Sequence, residues 1–279
     1  MGKINCSVVQ IFLARHCNLR CARCNTASPH LTPELAEFDS FKADVDALAK
    51  VMTVGELRFI GGEPLLNPDL MRFLKYADAS PLSRTVALVT NGVLLHKAPP
   101  EMWPLLDAVA ISRYPGVAFR VTAGEIDSLR KTHGVKFEFR DQQYFQQIML
   151  NSLNKDAKLV QRIFNSCQIT HVWKCHTVHN GWYYKCPVPM YVEERLAKVG
   201  VPLRSKHADG VKIHGNENLE ADLTAYLSCR TPLTACSGCL GTSGKKWPSA
   251  QLSDSGLAAE LAEDHNDIPA LLDPGFVRG

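Results

Sequence analysis

No apolar stretch in this chain approaches the roughly 20 residues that a membrane-spanning helix needs. Charge of one sign is also scarce, since 31 Lys and Arg stand against 28 Asp and Glu for a net charge of +3. So small a surplus excludes a general electrostatic grip on nucleic acid or on an anionic membrane. There is no basic run with interleaved aromatics, the usual footprint of a nucleic-acid binder, and no internal repeat or low-complexity tract. An export signal is missing too: Gln10 interrupts the apolar run from Val8 to Ala14, and Arg15-His16-Cys17 stands where small cleavage-site residues belong. Met1-Gly2 opens a myristoylation pattern that Cys6 breaks, standing where Ser or Thr is required. These absences set the expectation of a cytoplasmic protein.

The chain has 279 residues, 46% of them hydrophobic, enough for one large domain or for one domain with a small appendage. Cysteine is abundant, with ten residues. In an exported chain that number suggests disulfides; in a cytosolic one it points to metal. Three of them, Cys17, Cys21 and Cys24, fall in a C-x3-C-x2-C run directly after the strand-like stretch Ser7 to Leu13. Three thiolates suit a 4Fe–4S cluster with one iron left open, or a zinc ion completed by His16 or His30. Gly61-Gly62-Glu63-Pro64 follows another strand-like run, Glu56 to Ile60. Its glycines allow a ligand to approach the backbone closely, and its carboxylate suits a cation. Thr90-Asn91-Gly92 follows a third such run.

Together these motifs resemble the radical S-adenosylmethionine (SAM) superfamily. The resemblance implies a partial (β/α)6 barrel, with Cys17, Cys21 and Cys24 holding a 4Fe–4S cluster whose open iron chelates SAM. It implies further that Gly61, Gly62, Glu63, Pro64, Asn91 and Ser112 bind SAM, with Glu63 receiving its ammonium group. A flavodoxin- or ferredoxin-like protein would supply the electron that cleaves SAM to methionine and a 5′-deoxyadenosyl radical. One departure is Arg23, since the position before the third cysteine is usually aromatic or otherwise apolar and packs near the adenine.

The periodicity predicts a helix from Ser40 to Val51, another capped by Asn67 with Pro68 at its first position, and further strands over Arg84–Thr90, Asp107–Ser112 and Val135–Arg140. Such alternation implies right-handed βαβ units and an α/β fold with a parallel sheet, although a sixth barrel strand has no clear place. Residues 1–164 are assigned to the barrel, 165–243 to a second element and 244–279 to a loosely held tail with a short helix near Leu257–Glu263. In the second element Asn180-Gly181 predicts a two-residue hairpin turn between Trp173–His179 and Trp182–Pro187. His176, His179, Trp182, Tyr183 and Tyr184 there either face a sugar or are ordinary cross-strand partners.

Six more cysteines follow the barrel. Cys186, at the end of the hairpin, and the Cys236-x2-Cys239 loop read as metal ligands. This set resembles the auxiliary-cluster extensions called Twitch and SPASM, and the shorter Twitch form implies a second 4Fe–4S cluster with Cys167 as fourth ligand. A two-residue turn would instead place Cys175 opposite Cys186, which makes Cys175 the alternative ligand. With Cys167 chosen, Cys175 remains a free thiol and a candidate hydrogen-atom donor. Cys6 is expected in the core and Cys229 in a structural role. The overall resemblance is to sugar- and aminocyclitol-modifying members of antibiotic biosynthesis. It implies a carbohydrate-type substrate that is epimerised, with oxidation of an alcohol to a ketone, or modification of a peptide, as alternatives. No peptide-recognition segment is expected before the first strand.

Overall fold

In a computed structural model, which describes residues 2–278, the first half alternates strand and helix as its periodicity requires. The elements are β1 (Ile4–Ala14), α1 (Phe38–Val51), β2 (Met52–Gly61), α2 (Leu70–Ala79), β3 (Ser83–Thr90), β4 (Ala108–Arg113), α3 (Ala123–His133) and β5 (Lys136–Asp141). These five strands pair in parallel in the order β5-β4-β3-β2-β1. The remainder holds β6 (Tyr144–Gln146), α4 (Ala157–Ser166), α5 (Gln168–His171), β7 (His176–His179), β8 (Trp182–Tyr184), α6 (Val192–Ala197), β9 (Gly210–Lys212), α7 (Leu219–Ser228), β10 (Lys246–Pro248) and α8 (Asp254–Ala262).

The sixth parallel strand is β7, and it joins on the far side of β1, with Val9 opposite His176 and Ile11 opposite Val178. Antiparallel β8 and β9 continue the sheet beyond it, while β6 and β10 form a separate antiparallel pair. The fold is thus α/β, a largely parallel partial barrel with a small antiparallel sheet. No helix among the described residues is long and apolar enough to cross a membrane.

The two faces of the barrel sheet differ in chemistry. Val9, Ile11, Leu57, Phe59, Leu88 and Ile111 pack against Phe41, Val45 and Leu48 of α1 and Phe73 and Leu74 of α2 in one core. The Phe41 and Phe73 rings lie 5.0 Å apart, and Phe73→Ala would cost about 3–5 kcal/mol. On the opposite face the register sets Gln10 beside Arg58 and Ser112 beside Arg140. Period-2 alternation therefore gives one apolar face to the helices and one polar face to a concave interior.

Two expectations change. Asn67 does not cap α2; it bridges back to β1, donating from Nδ2 to the Leu13 carbonyl (2.9 Å), and Asp69 takes the cap position. The tail is also not loose. Ala22 N donates to Ala250 O (2.8 Å) and Leu252 N to Arg20 O (2.8 Å), so residues 250–252 pair with the cysteine loop.

Candidate active site

The chain leaves β1 at Ala14 and runs straight into the cysteine loop, while Arg15 anchors the departure through Glu34 (2.8 Å) and Glu194 (2.6 Å). Cys17, Cys21 and Cys24 line one cavity of about 230 Å³ together with Gly61, Gly62, Asn91 and Ser112. This places all three thiols at the carboxyl ends of the parallel strands, where such sheets hold ligands. Burial pushes Cys17 up to about 12 and Cys21 up to about 11, so these thiols ionise readily only against a cation, as a ligand set does.

Among the described residues, no imidazole, carboxylate or fourth thiol lines this cavity. His30 is buried with its Nε2 on Glu260 (2.9 Å), and neither it nor His16 reaches the cavity wall. Among the described residues, no three His, Cys, Asp or Glu side chains gather closely enough to hold a single metal ion. Three thiols spread along a cavity wall, with nothing to complete them, fit a cubane cluster that keeps one iron open.

The Gly61-Gly62 bend is a cradle in the backbone sense. Gly62 N donates to Ala14 O (2.7 Å), and a Cβ on Gly62 would sit 2.2 Å from the His16 carbonyl oxygen. Only glycine permits this approach. Glu63 and Pro64 lie behind the bend, outside the cavity lining. The Glu63 carboxylate is fully buried and accepts from Thr90 Oγ1 (2.7 Å), Asn91 N (2.8 Å) and Leu65 N (3.1 Å). Burial nevertheless pushes its pKa up. Its two oxygens tie the Gly61–Pro64 bend to the Thr90-Asn91-Gly92 turn, a use that the tetrapeptide alone does not reveal. Asn91 Nδ2 in turn donates to Asn18 Oδ1 (2.7 Å) and reaches the Cys17 sulfur (3.5 Å).

Arg23 takes up a left-handed backbone (φ 56°) and turns away from the cavity to a carboxylate, Glu263, at 2.5 and 2.6 Å. Aromatic surface in the cavity comes from Tyr114 and Phe145, stacked at 5.7 Å. Arg58 and Arg140 are its only charged lining residues among the described ones, each held by a glutamate two residues earlier on its strand, Glu56 (2.7 Å) and Glu138 (2.8 Å). These residues, with Gln10 and Gln142, carry no motif. The visible signal is the Glu-x-Arg repeated on β2 and β5, which places like pairs on one face of each strand.

A second cavity, about 480 Å³, shares the walls Gln10, Asn25, Thr26, Ile60, Gln142 and Phe145 with the first. Cys175 lines it, and burial raises that thiol's pKa. The hairpin turn forms as expected, with Asn180 at φ 45° and Gly181 at φ 83°. The ladder, however, pairs only Thr177–His179 with Trp182–Tyr184 and ends before Cys175 and Cys186 can face each other. Cys167, Cys186, Cys236 and Cys239 instead share a small apolar cavity walled by Ile163, Phe164 and Leu233. Burial pushes Cys236 up to about 12 and Cys186 and Cys239 well above the usual thiol range. Gly241 N donates to the Cys239 sulfur (3.2 Å), and a Cβ on Gly241 would come within 2.9 Å of the Cys167 sulfur. The four thiols assigned to the second set thus line one cavity and Cys175 another, although Cys175 packs against the same apolar cluster as Cys167, Cys186 and Cys239.

The aromatic residues of the hairpin pack against protein. Tyr183 and Tyr184 are fully buried, and Trp182 stacks on His207 at 4.6 Å. Cys6 lies in the core and Cys229 is exposed at the end of α7.

GTP 3′,8-cyclase of Chlorobaculum tepidum is 40% identical to this chain over 90 residues, 32% of this chain and 27% of that protein. Molybdenum cofactor biosynthesis protein 1 of Mus musculus is 32% identical over 117 residues, 38% of this chain and 17% of that protein. The chain thus spans less than a third of the length of these curated relatives. Among solved structures, BtrN in complex with AdoMet and 2-DOIA is similar with a TM-score of 0.49 at 15% identity, covering 86% of this chain and 94% of that one. Residues 11–140 match the family model of the radical SAM superfamily. Those residues run from β1 through β5 and carry the three thiols, the glycine cradle and the asparagine turn, so the similarity to that superfamily lies on the segment that builds this cavity.

Proposed function

We propose that the protein epimerises a carbon of a sugar or aminocyclitol, with Cys175 returning the hydrogen atom. The carrying observation is the position of Cys175. It lines a cavity that shares walls with the cavity of Cys17, Cys21 and Cys24, while Cys167, Cys186, Cys236 and Cys239 line a different one. Burial raises its pKa, which keeps the S–H form that donation requires.

When bound, the cluster of Cys17, Cys21 and Cys24 with SAM supplies a radical that removes hydrogen from an unactivated C–H bond. The chain's own work is positioning. Gly61, Gly62, Asn91 and Ser112 line the SAM side, with Glu63 and Pro64 setting the bend from behind. Gln10, Gln142 and Tyr114 offer hydrogen bonds to substrate hydroxyls. Cys167, Cys186, Cys236 and Cys239 would hold a second 4Fe–4S cluster, whose apolar pocket suits electron passage rather than substrate binding. After donation the Cys175 sulfur needs one electron and one proton, and a flavodoxin- or ferredoxin-like reductant would provide the electron.

A second reading is radical chemistry on a purine nucleotide. It is favoured by the names of the sequence relatives and by Arg58 and Arg140, which suit phosphate groups. The test is anaerobic turnover in deuterated water with SAM, reductant and sugar, aminocyclitol or GTP candidates. Epimerisation puts one solvent deuterium in a product of unchanged oxidation state, and Cys175→Ala then makes 5′-deoxyadenosine without epimer. A product two mass units lighter would mean dehydrogenation, and consumption of GTP would select the second reading.

A further inference from the structure

We infer that the segment 246–263 is part of the cluster site, and that Gln251 is a positioning residue that donates a hydrogen bond to the Cys21 sulfur. The inference rests on Cys17, Cys21 and Cys24 being cluster ligands and adds a residue far from them in sequence.

Gln251 Nε2 lies 3.1 Å from Cys21 Sγ, and Gln251 Oε1 accepts from Arg20 N (2.8 Å). The second contact fixes the first. A flipped amide would set N–H against N–H at Arg20, so the NH2 group must face the sulfur. The backbone does not drift, because Cys21 and Gln251 form an antiparallel bridge closed by Ala22 N to Ala250 O and Leu252 N to Arg20 O. Arg23, where an aromatic residue is expected, locks the strap. Its backbone N donates to Glu260 Oε2 (2.9 Å), its fork grips both oxygens of Glu263, and its guanidinium lies 4.9 Å from the Trp247 ring centre. Asn151 Nδ2 then holds the carbonyls of Glu260 and Glu263 (2.9 and 3.1 Å) at the end of α8, so the strap is anchored to the body of the protein.

A donor on a cluster-bound sulfur stabilises the more negative, reduced form and raises the potential. The same donor, in protein without iron, favours the Cys21 thiolate, the form that alkylating reagents attack. Gln251→Leu removes the donor at similar size. In the anaerobic holoenzyme we expect the cluster whose resonance SAM perturbs to shift to a more negative midpoint potential, and Gln251→Glu to shift it further by placing a carboxylate at the thiolate. An unchanged potential in Gln251→Leu with full iron would overturn the inference. Should that variant load no iron, the apoprotein decides: iodoacetamide should label Cys21 several-fold more slowly relative to Cys17 than in the parent, and an equal ratio would overturn it. A parent protein that binds no iron through Cys17, Cys21 and Cys24 would instead remove the family reading on which the inference stands.

Discussion

The loop of Cys17, Cys21 and Cys24 and the pocket of Cys167, Cys186, Cys236 and Cys239 use one kind of side chain in opposite surroundings. The first set has three thiols on the wall of a polar cavity, with arginine, asparagine and serine as neighbours. The second has four thiols walled by Ile163, Phe164 and Leu233. Three ligands in a polar mouth leave a coordination position that an incoming molecule can use. Four in an apolar pocket leave none and keep water out, as an electron carrier or a structural staple requires. Thiol number and wall polarity thus separate two sets of cysteines that differ little in residue type.

The sharpest way to break this comparison is to delete each set. Reconstituted protein should hold about eight irons, and replacing Cys17, Cys21 and Cys24 together should leave about four and abolish SAM cleavage. Replacing Cys236 and Cys239 should also leave about four, yet SAM cleavage without product should survive. A parent protein with about four irons would leave the second pocket without a cluster. Next in size is Gly62→Ala, whose Cβ would fall 2.2 Å from the His16 carbonyl oxygen. Overpacking of this kind costs about 1–3 kcal/mol, so SAM affinity measured by calorimetry should fall roughly 5- to 150-fold. Glu63→Gln turns an acceptor of the Asn91 N–H into an amide that cannot serve every donor facing it. The loss, about 1–2 kcal/mol, should weaken SAM binding roughly tenfold while both clusters still assemble; unchanged affinity would remove Glu63 from the site.

A last effect, on stability and not on the site, concerns the seam between α1 and the β7–β8 hairpin. Asp44 of α1, 1% exposed, accepts from Gly181 N (3.0 Å) and His214 Nδ1 (3.0 Å), and burial pushes its pKa up to about 6. A raised folded-state pKa means that protonation favours the fold. The contribution is fully present below the ordinary aspartate value near 4 and is lost as pH rises through about 6. Its ceiling is about 3 kcal/mol. Asp44→Asn should therefore be relatively more stable than the parent at pH 7 than at pH 4, as read by denaturant titration; parallel pH profiles would show that the seam does not titrate.

Local signals carried much of this architecture. The cysteine loop, the Gly-Gly-Glu-Pro bend and the Asn-Gly turn stand where their spacing puts them, because each depends on residues a few positions apart. Signals that pair distant residues were not legible. Nothing near Arg23 indicates that its partner is Glu263, and nothing in β7 indicates that it will seek β1 rather than follow β5. The Glu63 side chain illustrates a subtler loss: its chemistry was readable, but its orientation is set by Thr90 and Asn91 on another turn. The tail was misjudged because its composition resembles a loop, whereas its hold comes from bonds to Arg20, Ala22 and Arg23.

The placement of β1 between β2 and β7 has a consequence for biosynthesis. β1 is translated first, and its partner β2 follows within some fifty residues, but His176–His179 emerges more than a hundred residues after that. Through that interval a growing chain carries β1 as the open border of a five-stranded sheet, with Val9 and Ile11 still lacking their second neighbours. An unpaired border of this kind invites docking by other strands until it is covered. The hairpin that ends at Cys186 is therefore also the piece that covers β1, and ribosome-bound fragments stopped before it should be the species that a chaperone holds.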